Sequence, residues 1–179
     1  MAEKNAAHLW LLRASYVMLA LLFMFANLLP LKTTPQSWVG PDFLVAMTFA
    51  WALRRPEYVP MLSIAAVFLL ADFLLHRPPG LWTLLVLLLS EWLKKRDRQV
   101  RENTFAAEWV TMAGAMFTLF LAYRMVLSIL LVETGAFSLW AMQYGMTVAA
   151  YPLVVGLSYI AFGIRRTGPG ETDHSGRKT

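Results

Sequence analysis

An all-α integral membrane protein of six transmembrane helices is predicted by three observations. Long apolar runs are separated by short polar turns, basic residues gather in alternate turns, and tryptophans fall near the ends of the runs. Both termini are expected on the cytoplasmic side. Hydrophobic residues make up 58% of the 179 residues and charged ones 15%, against about half and about a quarter in soluble domains. The solvent for most of this chain is therefore lipid. No polar stretch of domain size interrupts residues 1–166, so a single six-helix transmembrane domain is expected there. Residues 167–179 read as a disordered cytoplasmic tail, being rich in Gly and charge with no apolar period.

Six runs define the helices in order. Leu9–Leu29 has a weakly basic lead and no small-residue cleavage site before Pro30, so it reads as a retained span and not a removed signal peptide. Val39–Leu53 and Val59–Leu75 follow, and Asp72 lies near the end of the latter. Pro78-Pro79-Gly80 then breaks the chain before Leu81–Leu93, and the basic cluster Lys94, Lys95, Arg96, Arg98 and Arg101 stops that run as a basic cytoplasmic loop. At about 1.5 Å per residue the Leu81–Leu93 core covers only about 20 Å of a hydrocarbon layer about 30 Å thick. The middle runs are thus short. Phe105–Val132 and Phe137–Ile164 are, like the first, long enough to cross, and Pro152 is expected to kink the last by removing one helical hydrogen bond.

Charge and tryptophan placement set the topology. Of 16 Lys and Arg residues, thirteen fall on one predicted face, Lys32 and Arg77 on the other, and Arg124 inside a run. The net charge of +5 reads as this topology signal, because the basic residues do not form an aromatic-lined groove for nucleic acid. Trp10, Trp38, Trp51, Trp82, Trp92, Trp109 and Trp140 all fall near run ends, where an indole hydrogen-bonds at headgroup level. A re-entrant hairpin of runs three and four would keep the charge count, but would place Arg77 at depth at a cost of at least about 2.5 kcal/mol. Six spans are preferred.

The candidate site residues are few. Arg124 sits between AGAMFTLFLAY and MVLSILLV with no charge nearby on its own helix. Asp72 falls at a similar outer depth, within reach of an ion pair; the alternative is that Arg124 snorkels outward on its long stem. Asp42, after Gly40-Pro41, is placed to cap a helix. Glu108 suits the dipole at a helix start, and Glu91 is spaced for a contact with the Lys94 cluster. Small residues at four-residue spacing, Ala46 and Ala50, then Gly114, Thr118 and Ala122, then Ala141, Gly145 and Ala149, make flat stripes for helix packing, inside the bundle or against a partner.

Catalysis is not expected. The sequence has no HExxH, GxSxG or P-loop, and His8, His76 and His174 are scattered. The absence of cysteine excludes disulfides, thiolate metal sites and thiol catalysis. No cofactor or metal is implied.

The run Gly40-Pro41-Asp42-Phe43-Leu44, continuing through Trp51-Ala52-Leu53-Arg54-Arg55-Pro56-Glu57-Tyr58 to Asp72 and then Pro79-Gly80-Leu81, resembles the rod shape-determining protein MreD family of bacteria. The resemblance covers roughly Pro41 to Arg96; the last two runs match in character only. It implies a non-enzymatic inner-membrane subunit of the cell-elongation machinery. The implied partners are the bitopic protein MreC, the actin-like MreB filament, and the peptidoglycan synthase of RodA and its penicillin-binding transpeptidase. It also implies a fold similar to the substrate-binding subunits of energy-coupling-factor vitamin transporters. Where the family has a small-residue turn after the acid, this chain departs from the pattern with Phe73-Leu74-Leu75-His76-Arg77-Pro78-Pro79-Gly80. The leading expectation is a scaffold for an MreC-like partner; the alternative is a small-molecule (vitamin) binding subunit of a transporter. An ion channel around Asp72 and Arg124 is weaker, since no ring of acids is visible.

Overall fold

The structure, a computed structural model, describes residues 2–29, 39–99, 105–132 and 135–164. It is all-helical over the described residues: α1 Ala2–Leu28, α2 Phe43–Arg54, α3 Met61–Leu74, α4 Leu81–Gln99, α5 Phe105–Ile129 and α6 Phe137–Phe162, with one 3-10 turn at Pro56–Tyr58 between α2 and α3. Trp38, Arg101 and the expected tail over 167–179 lie outside the described residues.

Local chemistry explains the boundaries. Pro41 and Asp42 delay α2 to Phe43, and the Asp42 carboxylate accepts from the Val45 N–H as an N-cap. Pro56 starts the 3-10 turn and Pro60 caps α3. Gly163, at φ 62°, ends α6 in the left-handed conformation, its N–H reaching the Tyr159 carbonyl.

The shortest α-helix is the centre. Every residue of α2 from Leu44 to Leu53 is buried, and the helix packs against α6, α4, α1 and α5. At 12 residues it spans about 18 Å, well short of a hydrocarbon layer of about 30 Å. Apolar side chains all round suit a helix enclosed by others, and Ala46 and Ala50, both fully buried, let neighbours approach closely.

Among the described residues three helices are long and apolar enough to cross a membrane: Ala7–Leu28, Phe105–Ile129 and Phe137–Phe162. Outside the bundle, large apolar side chains such as Leu62, Ile160 and Leu131 are 80% exposed or more. Continuous exposed apolar surface is costly in water and free in lipid, which marks the chain as a membrane protein.

Two expectations need correction. The basic cluster is not a loop: α4 continues through Lys94, Lys95, Arg96 and Arg98 to Gln99, because Lys and Arg are good helix formers and no Gly or Pro intervenes. Trp51 and Trp82 do not turn outward to the headgroups but are buried in the core, 0% and 2% exposed. Proximity to a helix end in sequence does not make a side chain face outward when the helix is enclosed by others.

Candidate functional site

Polar side chains buried in the bundle collect at its two ends. At one end, Arg54 closes α2 and meets Glu108 in the first turn of α5. Arg54 Nε donates to Glu108 Oε1 at 2.9 Å and Nη2 to Oε2 at 3.2 Å, and the Tyr151 hydroxyl of α6 donates to Oε1 at 2.7 Å. The Glu108 side chain is wholly buried and that of Arg54 12% exposed. A fork of two parallel bonds plus a phenol satisfies the carboxylate, and only such full pairing makes a buried charge tolerable. Three helices are tied at one point.

The same end repairs a defect in α6. Pro152 has no N–H, so the Val148 carbonyl four residues earlier loses its helical partner. Trp109 Nε1 donates to that oxygen at 2.9 Å, which lets α6 run unbroken through Pro152. Nearby, Trp51 Nε1 donates to Ser158 Oγ at 3.0 Å, and deeper in the bundle Tyr16 and Thr48 share a hydroxyl bond at 3.0 Å. Lys94, 7% exposed, donates to the Val59 carbonyl and to Glu91, both at 2.6 Å. Arg13 Nε donates to the Glu57 carbonyl at 3.0 Å, pinning α1 to the 3-10 turn. In that turn burial pushes the Tyr58 hydroxyl pKa up, with Arg55 opposing and Glu57 adding to the rise.

At the other end Asp72 organises the α3–α4 connection. Its Oδ2 accepts from Gly80 N at 3.0 Å, Thr83 N at 3.2 Å and Thr83 Oγ1 at 2.8 Å. Gly80, at φ 85°, provides a conformation that disfavours side chains and has none of its own to cap α4. The carboxylate of the preceding helix supplies the cap instead. His76 takes φ 53° in the same turn, where glycine would be unstrained.

Asp72 and Arg124 do not form the ion pair that the sequence allows. Arg124 Nη1 donates to the Gly135 carbonyl at 3.3 Å, and its guanidinium lies over the rings of Phe137 and Trp140 at 5.4 and 6.0 Å. This is the outward route: the long stem reaches the α5–α6 turn from five residues inside α5. Arg77 likewise stacks on Trp82 at 4.8 Å, and Trp82, Phe120, Tyr123 and Trp140 form one aromatic cluster joining α4, α5 and α6. Asp42 caps α2 and its N–H donates to Thr147 Oγ1 at 2.9 Å, fastening α2 to α6. A cavity of about 470 Å³ opens beside these groups, lined by Asp42, Arg77, Trp82 and Gln143 together with apolar residues of α1 to α3.

The small-residue stripes divide. Ala46 and Ala50 face inward, while Ala141, Gly145 and Ala149 are exposed along α6, with no atom within 4 Å of the position a Gly145 Cβ would take. Among the described residues no group of three or more His, Asp or Glu is placed to hold a metal. Sequence reasoning misses the Arg54–Glu108–Tyr151 junction, because Arg54 reads as a topology charge and Glu108 as a dipole partner. The position of Glu108 on an apolar helix otherwise without acid is the signal that could have found it.

The fold and its two polar junctions define a helical membrane bundle with a fastened interior. Comparison with protein-family models, with characterised proteins and with solved structures gives no match.

Proposed function

We propose that the chain is a non-enzymatic, multi-pass scaffold of the bacterial inner membrane, with six helices in the bilayer and both termini cytoplasmic. In this reading it serves the cell-elongation complex, binding an MreC-like bitopic partner and through it supporting MreB, RodA and the penicillin-binding transpeptidase in peptidoglycan synthesis. The observation that carries the reading is the exposed Ala141–Gly145–Ala149 face of α6. A flat helix face turned to lipid offers close backbone approach to another membrane helix. The residues of the family resemblance also hold the turns: Asp42 caps α2, Arg54 anchors Glu108, and Asp72 caps α4.

Photocrosslinking from positions 141, 145 and 149 in membranes tests this. Crosslinks to a bitopic elongation-complex subunit are expected. Recovery of no such subunit, with crosslinks to lipid alone, overturns the scaffold.

The cavity favours a second reading, a small-molecule binding subunit of a transporter. Its volume of about 470 Å³ lies within the range of about 300–1,000 Å³ typical of ligand sites. Co-purification of a vitamin-sized compound, lost in Arg77→Ala and Gln143→Ala, would replace the scaffold reading with this one.

A further inference from the structure

Between α4 and α5 lies a groove of about 640 Å³. Its walls are apolar in effect. Leu88 and Leu89 form one side, and on the other the hydroxyls of Thr111 and Thr118 are turned back onto the Ala107 and Gly114 carbonyls at 2.7 and 2.9 Å. The floor is open at Gly114, where an added Cβ would meet no atom within 4 Å.

One mouth is different. Arg96 lies over the Trp92 ring at 5.1 Å, and both side chains are exposed. Among the described residues Arg96 makes no ion pair: Glu91 is engaged by Lys94 and Glu108 by Arg54. Among the described residues this cation is therefore not neutralised by an ion pair, and it caps an apolar channel. From Leu88 to Arg96 the channel runs about 12 Å, close to the hydrocarbon depth of one leaflet, which is about half of 30 Å. An acyl chain below a phosphate fits this depth and this charge.

We propose that the α4–α5 groove is a binding site for one anionic phospholipid, its acyl chain along Gly114 and Leu88 and its phosphate at Arg96 and the Trp92 indole N–H. The site rests on the bundle lying in a bilayer and is independent of the identity of any protein partner. Basic residues beside interhelical clefts recognise anionic headgroups in this way.

The test is native mass spectrometry of the full chain with phosphatidylglycerol and phosphatidylcholine of identical acyl chains at equal concentration. Wild type is expected to retain phosphatidylglycerol preferentially, and Arg96→Gln to lower that preference about fivefold, the loss of one basic contact. Gly114→Leu, which fills the floor, is expected to reduce retention of both lipids. Arg96 is exposed, so its variant folds, and the wild-type comparison needs no variant at all. Equal retention of the two lipids by wild type, a preference unchanged in Arg96→Gln, or crosslinking of a protein helix from position 118 overturns the proposal.

Discussion

The Trp109 bond to Val148 predicts a coupling between Trp109 and Pro152, two residues that share no polar contact of their own. Trp109→Phe removes the indole N–H and leaves a helix carbonyl without a donor, because Pro152 cannot supply one. An acceptor stranded in this way costs about 1–3 kcal/mol. Trp109 is 39% exposed at one end of the bundle, so water at headgroup level meets part of the carbonyl's demand. Pairs measured in bilayers fall near the lower end, about 0.6–2 kcal/mol, so a loss of about 1 kcal/mol from the hydrogen bond is expected, with lost ring packing added. Pro152→Ala restores the N–H, and the hydrogen-bond part of the loss should then vanish. The assay is a double-mutant cycle on unfolding free energy in mixed micelles. An equal cost of Trp109→Phe in wild type and in the Pro152→Ala variant refutes the reasoning.

Three further outcomes are expected. Arg54→Ala leaves Glu108 buried without this cation and should cost about 3–5 kcal/mol, while the double replacement Arg54→Met with Glu108→Met should cost much less than either single change, since it removes both charges; denaturant titration of the three variants checks this. Asp72→Ala and Arg124→Ala should be additive within about 0.5 kcal/mol, as the two side chains have separate partners, and amide exchange at Gly80 and Thr83 should quicken in Asp72→Ala alone. His76→Gly should stabilise the protein by about 1 kcal/mol, because a left-handed conformation costs a residue with a Cβ about 1–2 kcal/mol and glycine gives part of that back in chain entropy; a lower melting temperature in His76→Gly contradicts it.

The helices are legible in the sequence where a boundary has a local cause. Pro41-Asp42, Pro56, Pro60 and Pro78-Pro79-Gly80 punctuate apolar runs, and all of that chemistry acts within a few residues. Even the capping role of Asp42 and the Glu91–Lys94 contact need only neighbours three residues apart. The centre of the bundle is not legible in the same way. Nothing in FLVAMTFAWALR distinguishes a helix facing lipid from one enclosed by protein, since both solvents are apolar.

The α3–α4 hairpin shows the division most clearly. Sequence alone determined an acid at a helix end, a glycine turn and a basic stretch behind it. Only the tertiary structure decided that Asp72 caps α4 and leaves Arg124 to its own turn, and that Glu108, 54 residues from Arg54, is that arginine's partner. The reason is range: helix propensity and capping act along the chain, whereas a buried charge is matched by whatever donor the packing brings alongside, and only burial makes that match obligatory.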